Sequence, residues 1–163
     1  MQITRGTDYA VRLMVHLATL PEGTKVPVAE LARVGSAPET FISKLLQRLV
    51  RIGMLNSSRG TGGGFMLAIQ PQNVTLLDVV EAIEGPLQLN LCLPGEQTCN
   101  RKSFCSVHPV WLEAQTALKN VLQGTSIEKL ARASTKNLFP HGAGTVTVRP
   151  HKTGKSSTQY RAG

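Results

Sequence analysis

The sequence has no long apolar run. Nothing in it approaches the roughly 18 consecutive apolar residues that a membrane span needs. The opening stretch, MQITRGTDYAVRLM, puts Asp8 and Arg12 where a secretory leader needs hydrophobic residues. A cytoplasmic chain with no membrane association is expected. Aromatic residues are few, at 4%, so the core must be mostly aliphatic. Cysteine is scarcer still. There are three, Cys92, Cys99 and Cys105, and in a reducing compartment such thiols are more often ligands than disulfide partners. No Ser/His/Asp arrangement, paired carboxylates or CxxC motif is present, so no enzyme activity is expected.

Acidic residues are missing from residues 134–163, which carry five Lys/Arg. That stretch is rich in Gly, Ser, Thr and Pro, lacks apolar periodicity, and reads as a basic disordered tail. Residues 1–68 hold eight basic and four acidic residues, whereas residues 69–133 hold five and six. The formal net charge of +8 is therefore concentrated at the two ends. A basic N-terminal part suits a polyanion such as DNA, and a solvated charged face is the ordinary alternative.

What is present is mostly helical periodicity. Ala10, Leu13, Met14 and Leu17 form one apolar stripe over about residues 7–19. A short helix over about 28–34 carries Leu31 and Ala32 and is expected to stop at Gly35. Ser36 and Glu39 have capping-box spacing for the next helix, with Pro38 tolerated in its first turn. That helix, about 38–52, has Ile42, Leu45, Leu46 and Leu49 on one face. Its other faces carry Thr40, Ser43, Lys44, Gln47, Arg48 and Arg51, with no acid after Glu39. Two helices joined by a tight turn, the second with a polar, basic face, make a helix-turn-helix pattern.

Gly53 ends the third helix. Residues 54–59 and 65–68 can extend as strands around Gly60-Thr61-Gly62-Gly63-Gly64, which makes the hairpin a wing. Its glycines permit the turn and a close approach to a phosphate backbone. A phosphate-binding P-loop is excluded, because no Lys-Ser/Thr pair follows. A further helix over 76–84 opens on Thr75 and Asp78 and closes at Gly85-Pro86. Beyond the cysteines, a helix over about 110–122 carries Ala114, Ala117, Leu118 and Val121 in one stripe. A last short helix starts at Thr125, with Glu128 at capping-box spacing. The fold class is mainly α.

Three thiols in a segment with little capacity for a core, LCLPGEQTCNRKSFCSVH, point to a bound metal or an iron–sulfur cluster, whose irons take soft thiolate ligands. A structural zinc site would use Cys92, Cys99, Cys105 and His108. A metal-transfer or thiol protein without specific DNA binding is a more distant alternative.

The run DYAVRLMVHLA, then VAELARVGSAPETFISKLLQRLVRIGML, SSRGTGGGFMLA, NVTLLDVVEAIEG and CSVHPVW resembles the Rrf-two family of winged-helix regulators over about residues 1–132. The resemblance implies a DNA-binding transcriptional regulator, by default a repressor, working as a homodimer on a pseudo-palindromic operator. It implies a winged helix-turn-helix domain (1–86), a cluster-binding loop (87–108), and a dimerisation helix with a short C-terminal helix (109–133). The tail (134–163) lies outside it. It implies a cluster on Cys92, Cys99 and Cys105 that senses nitric oxide, iron or cluster supply, or redox state. The fourth ligand is either His108, as in IscR-like members, or Asp8 of the partner subunit, as in NsrR-like members. A [4Fe–4S] cluster with Asp8 is slightly favoured over [2Fe–2S]. Glu39, Thr40, Ser43, Lys44 and Gln47 are expected in the major groove, and Arg48 and Arg51 on phosphates. Arg59 is expected in the minor groove, with Ser57, Ser58, Thr61 and Gly62 along the backbone.

Overall fold

The computed structural model describes residues 3–93, 101 and 104–135. Its architecture is mainly helical with one small hairpin. Helix α1 (Arg5–Thr19) lies at the centre, with Ala10, Leu13, Met14 and Leu17 buried among α2, α3, α4, α6 and the hairpin. It starts two residues before the point its apolar stripe suggests. Thr4 makes no side-chain cap. Instead, Glu84 from α4 accepts hydrogen bonds from the Thr4 backbone N–H (3.1 Å), the Thr4 hydroxyl (2.7 Å) and the Thr7 hydroxyl. A carboxylate at this end also suits the positive pole of the helix dipole.

Helices α2 (Val28–Gly35) and α3 (Glu39–Arg51) form the helix-turn-helix. The turn differs from the expected one. Gly35 stays inside α2, where a Cβ would lie 3.1 Å from Ile42 Cδ1, so this glycine allows the two helices to pack closely. Ser36 takes the left-handed conformation that ends α2 (φ 52°) and does not cap α3. Pro38 precedes α3, its φ already suited to a helix start, and its carbonyl accepts from Phe41 and Ile42 (3.0 Å each). At the far end Gly53 has φ 78°. Gly53 N–H bonds Val50 O and Met54 N–H bonds Leu49 O, both at 3.0 Å, a Schellman closure that turns the chain out of α3.

Strands β1 (Leu55–Ser58) and β2 (Gly64–Leu67) pair antiparallel, Leu55 opposite Leu67 and Ser58 opposite Gly64. Val26, ahead of α2, adds a bridge to Phe65 through two 2.9 Å backbone hydrogen bonds. Gly64 is required here: a Cβ on it would sit 2.6 Å from Val26 O. The close approach this glycine serves is therefore to the chain's own backbone.

Helix α4 (Leu76–Glu84) opens on a complete capping box between Thr75 and Asp78. Leu77 and Val80 pack with Leu87 and with Leu122 of α5 (His108–Gln123) in a second small apolar cluster. Helix α6 (Ile127–Thr135) returns Ile127 to the main core, with Leu130 packed against it and Ala131 also buried. Its first-turn partner is Ser126, whose hydroxyl accepts from Lys129 N–H (3.2 Å). Thr125, the expected cap, instead donates its hydroxyl to Val121 O (3.1 Å). Ser134 and Thr135 thus belong to α6, while the rest of the basic tail lies outside the described residues.

Helix α5 is unlike the others. Of its 16 residues only Leu122 is buried. Leu118 packs inward, but Val110, Trp111, Leu112 and Val121 are exposed, Val121 by 68%. The stripe read from the sequence is therefore split, with Ala114, Ala117 and Val121 facing away from the chain's own core. The Lys119–Glu81 ion pair (3.1 Å) is about one-third exposed on each side. Such pairs contribute about 0–1 kcal/mol, less than the ~1.5–3 kcal/mol from burying one leucine, so Leu118 and Leu122 hold α5 in place.

Replacing Gly64 by alanine forces Val26 or β2 to move. Overpacking of this kind costs about 1–3 kcal/mol. A Gly64→Ala variant should show that loss in chemical denaturation, and an unchanged midpoint would remove the assigned role of Gly64.

Candidate nucleic-acid interface and cysteine segment

The Schellman turn and the Val26 bridge place the hairpin beside α3. Together they present one polar, cationic surface. On α3, Glu39, Thr40, Lys44, Gln47, Arg48 and Arg51 are exposed and Ser43 is half-buried. At the hairpin, Ser57, Arg59, Thr61 and Gly62 are exposed. Gly60 (φ 92°) and Gly62 (φ 78°) carry the left-handed conformations of the turn. Ser58 is turned inward: its Oγ is buried and has no hydrogen-bond partner among the described residues. Among those residues Lys44, Arg48, Arg51 and Arg59 make no ion pair, whereas Arg12 and Arg132 are paired with Asp8 and Glu128. Unpaired guanidinium and ammonium groups on a protruding helix and hairpin are suited to phosphate and base edges.

Sequence reasoning missed two contributors near this surface. Phe41 is 42% exposed on α3 and meets Tyr9 of α1 edge to face, with ring centroids 5.7 Å apart. Glu84 carries the cap of α1. Hydrogen bonds from Thr7 and then Thr4 hold its carboxyl below the ordinary glutamate value, and the nearby Arg48 charge adds to this. Glu81 is held low as well, first by the Leu87 backbone N–H and then by Lys119. A signal was available: α4 contains Asp78, Glu81 and Glu84 and no basic residue. Acids in the last turns oppose the helix dipole, so they call for partners elsewhere in the chain.

The cysteine segment begins where α4 ends. Leu87 N–H bonds Glu81 Oε1 and Leu89 N–H bonds Gln115 Oε1, both at 3.0 Å, which leads the chain along α4 and α5 to Cys92. Cys92 and Cys105 are half-buried free thiols. Cys99 lies outside the described residues. Cys105 O accepts from His108 N–H (3.3 Å). His108, read from sequence as the end of the loop, is the first residue of α5. Its Nε2 is buried with no hydrogen-bond partner among the described residues. Two thiols and an unpartnered imidazole nitrogen are a donor set that fits iron or zinc. Among the described residues alone, no three His, Cys, Asp or Glu side chains gather into a metal-holding group. Asp8 is about half-exposed on α1 and gripped by Arg12 (Nη2 3.0 Å, Nε 3.2 Å). No helix among the described residues is long and apolar enough to cross a membrane.

The sequence pattern of Rrf2, described as an iron-dependent transcriptional regulator, matches residues 3–133. Protein aau3 of Rhizobium meliloti is 34% identical over 135 residues, covering 82% of this chain and 86% of its own length. The HTH-type transcriptional regulator NsrR of Halalkalibacterium halodurans is 30% identical over 131 residues, covering 80% and 90%. The solved structure of CymR, the global cysteine regulator of B. subtilis, superposes with a TM-score of 0.66 at 26% identity, covering 81% of this chain and 97% of that one.

The depressed Glu81 and Glu84 carboxyls set the sign of an acid effect. A carboxyl whose folded-state value is lowered contributes stability above its ordinary pKa and loses it as pH falls through the folded value. The thermal stability of the wild type should therefore fall from about pH 5 downward, starting near the ordinary carboxylate range. The double variant Glu81→Gln/Glu84→Gln should lose less on acidification. Equal pH slopes for the two proteins would contradict the assignment.

Proposed function

The chain belongs to the Rrf2 family of transcriptional regulators, and from that premise we propose a homodimeric DNA-binding repressor whose operator affinity is set by an iron–sulfur cluster on Cys92, Cys99 and Cys105. As a transcriptional regulator it is not an enzyme. Cytoplasmic residence follows from the proposed role.

The observation that carries the sensor reading is the placement of Cys105 and His108. His108 opens α5 and Cys105 lies three residues ahead of it, and among the described residues nothing covers the apolar side chains of Val110, Leu112 and Val121. A second subunit is the natural cover for Val110, Leu112 and Val121, because a helix burying a single residue gains little from its own fold. A cluster bound in this segment supplies an anionic iron centre that reacts with oxidants and nitric oxide. The chain's residues do the rest. Cys92 continues the stretch tied to α4 and α5, and Cys105 lies three residues ahead of the first residue of α5. Ligation would tie Cys92 to Cys105 and so fix how α5, and with it the second subunit, is held.

Two candidates remain for the fourth ligand, and each has support. His108 Nε2 is buried, has no hydrogen-bond partner among the described residues, and lies three residues from Cys105. Asp8 is exposed on its own subunit, as a ligand offered to a partner must be, and would exchange Arg12 for iron. An inter-subunit Asp8 ligand to a [4Fe–4S] cluster ties occupancy to dimer geometry. A His108 ligand raises the reduction potential. The same donors favour a second reading, a structural Cys₃His zinc site in a winged-helix regulator.

For DNA, Glu39, Thr40, Ser43, Lys44 and Gln47 would read the major groove while Arg48 and Arg51 hold phosphates. Ser57, Thr61 and Gly62 would follow the backbone, and Arg59 would enter the minor groove. Ser58 can join them only by turning its hydroxyl outward. A two-fold dimer calls for half-sites about one DNA turn, or a multiple, apart.

Anaerobically purified protein should be brown, with iron and sulfide present. Replacing all three cysteines by alanine should abolish the colour and change operator affinity. Colourless protein with stoichiometric zinc supports the second reading, and equal operator affinity of the triple variant and the loaded wild type removes the sensor. Arg59→Ala should weaken operator binding and, if Arg59 meets phosphate, lower the salt slope by about one unit. A binding curve unchanged by that substitution would exclude the wing from the interface.

A further inference from the structure

Glu81 and Glu84 lie three residues apart in the final turn of α4, and they hold different parts of the chain. Glu81 Oε1 accepts the Leu87 N–H (3.0 Å) and pairs with Lys119 Nζ of α5 (3.1 Å). Gln115 of α5 accepts the Leu89 N–H (3.0 Å). The stretch running into Cys92 is thereby fastened to α4 and α5 together. Glu84 Oε1 takes the three hydrogen bonds that cap α1. The first turn of α1 in turn touches α3. A Cβ at Gly6 would meet both Ile83 of α4 and the Phe41 ring, each at 3.9 Å, and Tyr9 packs against the same Phe41 ring.

We propose that the last turn of α4 is the coupling element of this protein, and that Glu84 is a positioning residue for the recognition helix. It converts the seating of the cysteine segment into the seating of α1 against Phe41 and α3. This rests on the cluster-sensing reading for its biological use, but the mechanical link stands on the contacts themselves. The link is short. Residues 81–84 span one turn of a helix, which moves as a unit, so a shift of Leu87 or Lys119 reaches Thr4 and Thr7 without an intervening loop. Phe41 lies in the first turn of α3, beside the proposed base readers Glu39 and Thr40. A tilt of this end changes which base edges those residues reach, whereas Arg48 and Arg51 keep their hold on phosphate.

The test uses the full-length protein and three variants: Glu84→Gln, the near-isosteric Thr7→Val, and the two combined. Amide hydrogen exchange is followed in residues 4–9, 39–51 and 108–123. Faster exchange is expected in both 4–9 and 39–51 for each single variant, by at least about threefold, with 108–123 unchanged. The combined variant should fall short of additivity, because Thr7 and Glu84 share one of the three hydrogen bonds. Exchange in 39–51 that stays at the wild-type rate overturns the coupling, as does full additivity. In parallel, operator affinity is measured with and without cluster. Glu84→Gln should keep wild-type iron and sulfide content while the ratio of the two affinities shrinks at least threefold, a readout that mere loss of stability does not move. An undiminished ratio also overturns the proposal. A wild type that binds its operator equally in both forms sinks the sensing reading instead, and the exchange result then decides the coupling alone.

Discussion

Most of the described structure depends on the buried stripe of α1. Ala10, Leu13, Met14 and Leu17 contribute to one core that α2, α3, α4, α6 and the hairpin all share. One helix therefore sets the positions of the recognition helix, the wing and the helix that leads to the cysteines. This places a heavy demand on the first turn of α1, where four backbone N–H groups have no partner in their own helix. Thr4 does not meet that demand by itself. A carboxylate 80 residues away accepts from one of these groups, the Thr4 N–H, together with the Thr4 and Thr7 hydroxyls, so that part of the cap of the central helix is a tertiary contact.

The legible parts of the sequence were those governed by local periodicity. The amphipathic runs of α1, α3 and α4 were readable because one face of each is buried by the same chain. The Thr75–Asp78 box was readable because its partners are three residues apart. Glycines were harder. Gly35 and Gly64 looked like a helix stop and a turn residue, yet each is small because another element lies against it. Sequence records the missing side chain without recording whether φ or packing requires it. Ser36 and Thr125 show a related ambiguity, since a hydroxyl residue between two helices can serve either one. The α5 stripe was visible as a stripe, but periodicity cannot say whose surface covers it. The Glu84 clamp was out of reach because it exists only once α1 and α4 are packed, and its trace was an acid at the wrong end of a helix.

For the site, residue types were readable and their surroundings were not. The exposed face of α3 and the tip of the wing follow directly from the apolar stripe and the glycines. That the Ser58 hydroxyl turns inward, that Arg12 grips Asp8, and that His108 Nε2 is buried are matters of rotamer and neighbour. These details change the chemistry more than the residue list does. An aspartate held by an arginine must exchange one partner for another to bind metal, whereas an unpartnered imidazole nitrogen has no partner to lose.

The bridge between Val26 and Phe65 has a consequence for the DNA itself. It fastens the wing to the chain just before α2, while the Schellman turn fastens it to the end of α3. The distance and angle between the two elements are thus set within the chain itself, like the jaws of a locked caliper. In the proposed complex the protein cannot widen its grip to suit an operator, so the duplex must adapt. Groove width and bendability between the two contacts then become part of what is recognised. Base pairs that no side chain touches would help decide which promoters this regulator occupies.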